Sequence, residues 1–313
     1  MSRADGLQRP PRGRFAPSPT GALHLGNLRT ALVAWLSALH AGGEVVVRME
    51  DLDPVTSSRE HAARQLADLA ALGLHPTGEV VFQSDRFELY GAAIARLDGL
   101  GLVYRCYCTR REIREAAAAP HGDHLPDGAY PGTCRALGAA RRAELEREGR
   151  RSALRLRTDG QAQVVDDRIA GRYAGVVDDV VLQRNDGVPA YNLAVVVDDE
   201  LQGITEVVRG DDLLSSTPRQ VHLQQLLGFR TPTYAHVPLV LGPDGARLAK
   251  RHGATTLAEL SARGVAPSQV LTLLGASLGL CAADAPIGLD ELVTRFDVAR
   301  IPRRPWAPAL PAG

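Results

Sequence analysis

The chain has 313 residues, 45% of them hydrophobic and 23% charged, and its 36 basic and 36 acidic residues cancel. The length suits two or three packed units of a globular protein. No apolar run reaches the length of a bilayer span, the first fifteen residues carry no secretory h-region, and four cysteines are too few for a disulfide scaffold. The expectation is a cytoplasmic protein, with no membrane role, in which any nucleic-acid partner meets a local basic patch.

Residues 12–18 (RGRFAPS) read as a strand running into a turn rich in Pro and Gly. A helical pattern, LHLGNLRTALVAWLSALHAGG, follows and stops at Gly42 and Gly43. Residues 44–49 (EVVVRM) form a buried-strand pattern, and the acidic loop EDLDP comes next. Ser57 or Ser58 caps a second helix running to about Leu74. A strand is expected at 79–83 and a helix at about 85–101. Residues 104–176 break into short polar pieces, the pattern of an insertion. Strand signals return at 180–183, 203–210 and 236–242, and 254–300 read as short helices. Strands alternating with helices predict an α/β fold around a parallel sheet, with strand ends and helix starts gathered at one edge. The predicted organisation is a free N-terminus (1–11), two halves of one α/β domain (12–103 and 177–245), an inserted lobe (104–176), a loop with helices (246–300) and a frayed tail (301–313).

Two motifs carry chemistry. His24-Leu25-Gly26-Asn27 stands where the first strand turns into the first helix. A helix start presents unpaired N–H groups and a positive dipole end to phosphate. Gly26 permits close approach to the backbone, and His24 can donate to a phosphoryl oxygen; helix capping by His24 is the plain structural alternative. Far along the chain, Lys250 lies in the Gly-rich stretch GPDGARLAKRHG and is the sole lysine among the 36 basic residues. A compact ammonium on a mobile loop can close over a triphosphate.

Together, RFAPSPTG before HLGN, the RLAKR stretch, and VVRGDDLLSSTPRQ at 207–220 resemble the glutamyl branch of the class I aminoacyl-tRNA synthetases over residues 12–280. HLGN stands for the HIGH motif and RLAKR for the KMSKS motif. Arg247 and Ala249 depart from the second motif while Lys250 keeps its lysine. The resemblance implies a class I Rossmann-type catalytic domain that uses ATP and Mg2+. It places ATP against His24, Gly26, Asn27 and Lys250. It places L-glutamate against Arg14, Phe15, Ala16, Pro17, Ser18, Glu50, Tyr191 and Arg209. Arginines suit the substrate carboxylates, and Glu50 suits the ammonium. Asp211 and Asp212 read as nucleotide-holding or pocket-shaping residues.

Cys106, Cys108 and Cys134 cluster in the insertion, whereas Cys281 lies in an apolar run and reads as a buried small side chain. Three thiols in a lobe with little core suggest one structural Zn2+, with the fourth ligand open among Tyr130, His121, Asp123 and His124. The CxC…YxxxC spacing resembles that of the glutamyl-Q tRNA(Asp) synthetases, and this resemblance implies Tyr130. Fewer than seventy residues (251–313) follow Lys250, which also suits that branch, since an anticodon-gripping region would need more. The implied partner is the anticodon stem-loop of tRNA(Asp) carrying queuosine, the implied acceptor is that base, and the expected state is a monomer.

Overall fold

The structure, a computed structural model, describes residues 10–118, 129–242, 244–245, 248 and 255–308. Arg247, Ala249 and Lys250, together with His121, Asp123 and His124, lie outside the described residues. Strand β1 (Arg12–Phe15) leads to helix α1 (Leu25–His40), strand β2 (Glu44–Met49), helix α2 (Arg59–Ala71), strand β3 (Val81–Phe82) and helix α3 (Phe87–Gly99). Next come β4 (Val103–Cys106), α4 (Arg110–Ala118), α5 (Ala139–Arg147), β5 (Ala153–Leu156), β6 (Ala162–Asp167), β7 (Gly171–Val176) and β8 (Val181–Gln183). The chain continues through α6 (Tyr191–Leu201), β9 (Glu206–Gly210), α7 (Thr217–Leu227), β10 (Thr233–Val237), α8 (Leu257–Ala262), α9 (Pro267–Ser277) and α10 (Leu289–Arg295).

The principal sheet has the order β3-β2-β1-β9-β10-β6-β7. Its pairs are parallel except the β6–β7 hairpin at one edge. β1 therefore has β2 on one side and β9 on the other, which makes the carboxyl end of β1 a topological switch point, where open α/β sheets bind ligands. The α/β expectation is met.

Helix α1 is apolar almost all round, and Leu28, Leu32, Trp35 and Leu36 are fully buried between the sheet and the C-terminal helices. Each such side chain contributes about 1.5–3 kcal/mol on burial, so the helix start is held firmly against the sheet. Buried Arg29 pins the same helix from the other end of the chain. It donates to the Pro238 carbonyl at 2.9 Å and to Ser277 Oγ at 3.0 Å. The turn after α1 needs glycine at 43, where a Cβ would lie 1.9 Å from the Pro11 carbonyl oxygen. The Oγ of Ser58 caps α2 through His61 N at 3.1 Å, as expected. On the opposite face of the sheet, α3, α6 and α7 share a second core that includes Tyr90, Leu97, Leu193 and Leu223.

Four expectations change. The insertion was expected to run to 176, yet 162–176 form the β6–β7 hairpin of the principal sheet. β6, one strand in from the edge, hid because its exposed and buried positions alternate, which reads as polar sequence. Conversely β8, expected in the catalytic sheet, pairs with β5 and β4 in a separate three-stranded sheet. Residues 301–308 are not a frayed tail. Ile301 is buried, and Trp306 exchanges backbone hydrogen bonds with Leu239 and Leu241 at 3.0 and 2.8 Å. A Pro-rich stretch shows no period, so nothing in its pattern announces this anchoring. Cys281 is half-buried rather than buried, with its Sγ 3.5 Å from the Thr272 carbonyl. No described helix is long and apolar enough to cross a membrane.

Candidate active site

The carboxyl ends of β1, β2 and β9 open into two cavities that share a wall, one of about 1400 Å³ and one of about 140 Å³. His24, Asn27, Ala16, Pro17, Glu50 and Tyr191 line both. Arg14, Phe15, Gly26 and Arg209 line the smaller one, and Ser18 lines the larger. Residues from four distant parts of the sequence thus converge. Lys250 lies outside the described residues, but its described flanks reach the same place. Leu248 lines both cavities, Leu25 N donates to the Thr255 carbonyl at 3.1 Å, and Thr256 bridges to His24.

His24 is the N-cap of α1, so the structural alternative is realised. Its Nδ1 accepts from Gly26 N at 3.1 Å and Asn27 N at 3.3 Å, while Asn27 Oδ1 accepts from His24 N at 3.2 Å. A nitrogen that accepts two N–H groups carries no proton, so the proton sits on Nε2. Capping and donation to a ligand are therefore compatible: one nitrogen fixes the ring and leaves the other a donor. The clearance at Gly26 serves the histidine first. A Cβ there would lie 2.9 Å from His24 Cε1, so glycine is what lets the ring fold over its own helix.

The smaller cavity is strongly charged for its size. Arg14 is buried and donates to the Val208 carbonyl at 2.9 Å. Among the described residues its Nε has no hydrogen-bond partner, and the nearest acid is Asp199 at 3.6 Å. Burial lowers the Arg14 pKa, and Asp199 partly restores it. Burial likewise raises the Glu50 carboxyl, against the pull of Arg48 and Arg14, and its closest cation is Arg48 Nη2 at 3.4 Å. Arg209, also buried, donates from Nε to His236 Nε2 at 3.0 Å, from Nη1 to Gln220 at 2.8 Å and from Nη2 to Thr217 at 2.8 Å. Among the described residues it makes no ion pair. Burial raises the Tyr191 phenol at the start of α6, with Glu50 adding to the shift. Asp212 joins the wall of both cavities, and burial raises its neighbour Asp211. A pocket holding two buried arginines, one of them without a carboxylate partner, beside a poorly paired carboxylate suits a zwitterion carrying an extra carboxylate.

Sequence reasoning missed the support beneath these groups. Fully buried Arg48 binds Asp199 at 2.8 Å and Gln202 at 2.7 Å. Burial opposes its charge, but Asp199, Glu50 and Asp198 outweigh burial and push its pKa up. Asp198 in turn accepts from Arg86 at 2.7 Å, Tyr90 at 2.8 Å and Gln83 at 2.9 Å. The available signal was the Asp198-Asp199 pair inside the apolar helix AVVVDDEL, since buried acids need partners. The Asp167–His236 pair beneath Arg209 carried no signal in sequence.

The second cluster borders the far wall of the larger cavity. Cys106, Cys108 and Cys134 bring their sulfurs within 4.8 Å of one another, and Cys108 Sγ lies 3.4 Å from Cys134 Sγ. A tetrahedral thiolate site has sulfur–sulfur edges of about 3.8 Å at metal–sulfur distances of about 2.3 Å, so the spacing fits an ion. Tyr130 Oη is 3.3 Å from Cys106 Sγ and 3.6 Å from Cys108 Sγ, and it accepts from Cys134 N at 2.9 Å. Hydrogen bonds from Cys108 and Cys134 hold Cys106 toward the thiolate, and the contact with Cys106 pushes Cys108 the other way. Tyr130 is fixed from outside as well, by Asp178 accepting its N–H at 3.0 Å and by the Arg155 guanidinium 3.7 Å above its ring. Few apolar side chains surround the cluster, chiefly Tyr104, Ile113 and Leu137. Arg105 and Arg111 are exposed, as expected of solvated arginines, while Arg110 borders the larger cavity.

Residues 12–307 match the family model of the tRNA synthetases class I (E and Q), catalytic domain. The chain is 59% identical to a glutamyl-Q tRNA(Asp) synthetase from Nocardia farcinica, over 94% of this chain and 92% of that one. It is 48% identical to another protein of that name from Symbiobacterium thermophilum, over 94% of each chain. A crystal structure of a glutamate tRNA ligase from Elizabethkingia meningosepticum, in complex with its amino acid, superposes with a TM-score of 0.81. That match has 27% identity and covers 96% of this chain and 67% of the ligase.

Proposed function

The chain belongs to the family of the class I tRNA synthetases for glutamate and glutamine, and on that premise we propose that it activates L-glutamate with ATP and transfers the glutamyl group to queuosine in tRNA(Asp). The observation that carries the reading is the convergence of Arg14, Arg209, Glu50 and Tyr191 on one small cavity beside His24. Arg14 and Arg209 take the substrate carboxylates, Glu50 takes the ammonium, and Tyr191 completes the pocket. Ser18 and the backbone of Phe15, Ala16 and Pro17 form the rim between amino acid and nucleotide.

In the first step a carboxylate oxygen of glutamate bonds to the α-phosphorus of ATP, and the bond from that phosphorus to the bridging oxygen breaks. Pyrophosphate leaves with the electron pair. The start of α1, His24 Nε2–H and Lys250 neutralise the charge that develops on the phosphate oxygens. Gly26 and Asn27 keep the His24 ring in place. Magnesium bound to the triphosphate would supply further charge neutralisation. Holding both reactants at the switch point supplies much of the rate, and no enzyme nucleophile is required. In the second step a hydroxyl of the modified base bonds to the glutamyl carbonyl carbon, AMP leaves, and the hydroxyl proton passes to solvent.

Cys106, Cys108, Tyr130 and Cys134 would hold one Zn2+, which ties β4 to the loop before α5 in a lobe with little core of its own. That lobe forms the far wall of the larger cavity, where a splayed nucleotide of the anticodon loop would enter. The protein acts as a monomer in the cytoplasm on this reading. The queuosine acceptor is supported by the relatives at 59% and 48% identity that carry that name. Its test is a transfer assay with labelled glutamate. Queuosine-containing tRNA(Asp) is expected to gain an alkali-labile glutamyl ester. Charging of tRNA(Glu) in its place would overturn the acceptor assignment.

A further inference from the structure

Arg209 stands on β9 without an acidic partner among the described residues, yet it is held on three sides. Its Nε–H can only donate. The atom 3.0 Å away is His236 Nε2, which must therefore accept, so that nitrogen carries no proton. The imidazole is then neutral with its proton on Nδ1, and Nδ1 donates to Asp167 Oδ2 at 2.5 Å. The other Asp167 oxygen is committed elsewhere. Oδ1 accepts from the backbone N–H groups of Ile169, Ala170 and His236 at 2.9, 2.8 and 3.1 Å. Asp167, His236 and Arg209 are 6%, 0% and 4% exposed, so water does not compete for these bonds.

We propose that Asp167 and His236 are positioning residues that aim Arg209 at a carboxylate of the amino-acid substrate. This rests on the reading of Arg209 as a glutamate ligand. The physical logic lies in the neutral ring. A carboxylate placed directly on Arg209 would align it but would also neutralise it and compete with the substrate. An imidazole between the two transmits direction while leaving the guanidinium charge unspent. Gln220 and Thr217 extend the pattern: both hold Arg209 through neutral oxygens, and Gln220 is itself fixed by donating to Asn192 at 3.0 Å. Arg14 has Asp199 nearby at 3.6 Å. The two arginines are thus tuned differently, and Arg209 keeps the less compensated charge.

Asp167→Asn tests the relay sharply. The amide retains an oxygen for the three backbone N–H groups but presents an NH2 to His236 Nδ1. The ring must then carry its proton on Nε2, facing the Nε–H of Arg209, donor against donor. A wrong tautomer in a carboxylate–histidine pair is known to disable an otherwise intact site. In glutamate-dependent pyrophosphate exchange, the KM for glutamate is expected to rise about 10- to 100-fold while the KM for ATP stays within about twofold. Long-range ¹H–¹⁵N spectra of histidine-labelled protein should show the Nδ1–H form of His236 in the wild type and the Nε2–H form in the variant. An unchanged tautomer, an unchanged KM for glutamate, or equal rises in both KM values would overturn the relay. A second pair guards against misfolding. His236→Gln keeps an acceptor for Arg209 and His236→Leu does not, so the KM for glutamate should be higher in the leucine variant by about tenfold or more; equal values would sink the idea. Arg209→Lys separates this from the reading beneath it. If that variant leaves the KM for glutamate alone, the glutamate ligand itself is misassigned; if it raises the KM while Asp167→Asn does not, only the relay fails.

Discussion

The proposed amino-acid pocket and the cysteine lobe solve the same problem by different means. Both must hold several polar groups at fixed spacing while partly excluded from water. The pocket does so with protein alone: Arg14, Arg48 and Arg209 stand on adjacent parallel strands, Glu50 lies just past the end of β2, and Asp198, Asp199, Gln220 and His236 hold the arginines from behind. The lobe has a three-stranded sheet and a small core, and its four donors converge with little beyond one another, Asp178 and Arg155 to hold them. The first arrangement is preorganised by buried hydrogen bonds. The second fits an ion that replaces a missing core. A defect in the pocket should therefore cost recognition first, and a defect in the lobe should cost order first.

The largest expected effect breaks the pocket side. Arg14→Ala removes a buried cation, leaves Asp199 paired with Arg48 alone among the described residues, and takes away a proposed substrate contact. Truncating one partner of a buried charge pair in binding costs about 3–5 kcal/mol, so kcat/KM for glutamate in pyrophosphate exchange should fall by about 10²–10⁴-fold. A loss confined to the KM for ATP would put Arg14 in the wrong half of the site.

An intermediate effect belongs to the lobe. Cys134→Ser should lower the metal content from about one ion per chain, measured by elemental analysis, and render residues 103–156 prone to proteolysis. Exchange, which needs only the pocket and the nucleotide, should change by less than about tenfold, whereas transfer to tRNA should fall further. Exchange collapsing in parallel with metal loss would show that the two regions are not separable.

The smallest effect is a pH dependence of stability in the relay. Burial holds the folded-state pKa of His236 below its ordinary value, against the pull of Asp167 and in concert with Arg209 and Arg14. The associated stability is fully present above the ordinary imidazole value of about 6.5 and is lost as the pH falls toward the folded-state value, because the unfolded chain takes up a proton that the folded one refuses. The slope is at most about 1.4 kcal/mol per pH unit. Asp167 is shifted below the carboxylate range, where burial is outweighed by its bonds to His236 and the turn, so it does not titrate in this window. Thermal melts between pH 7 and pH 5 should fall more steeply for the wild type than for His236→Gln.

What the sequence made legible follows the same division. Groups proposed to touch ligand sit in short, distinctive strings such as RFAPSPTGALHLGN and VVRGDD, and these lie where strands end. The parallel sheet was legible because its strands are short apolar runs between helices. The supporting groups were not. Asp167 and His236 are 69 positions apart and meet only because β6 pairs with β10, at the register Tyr234↔Asp167. The β6–β7 hairpin that delivers Asp167 alternates at a sheet edge and read as part of an insertion. Gly26 lines the smaller cavity, and its missing Cβ also leaves room for the His24 ring, a second demand that the motif does not display.

The claim at the centre is that two arginines and Glu50 form a glutamate pocket beside the nucleotide-binding start of α1. Pyrophosphate exchange into ATP, measured without tRNA across the twenty amino acids, addresses it directly. Exchange is expected with glutamate alone, and at most feebly with glutamine and aspartate. Exchange driven by an uncharged amino acid, or none with glutamate in metal-replete protein, would contradict it.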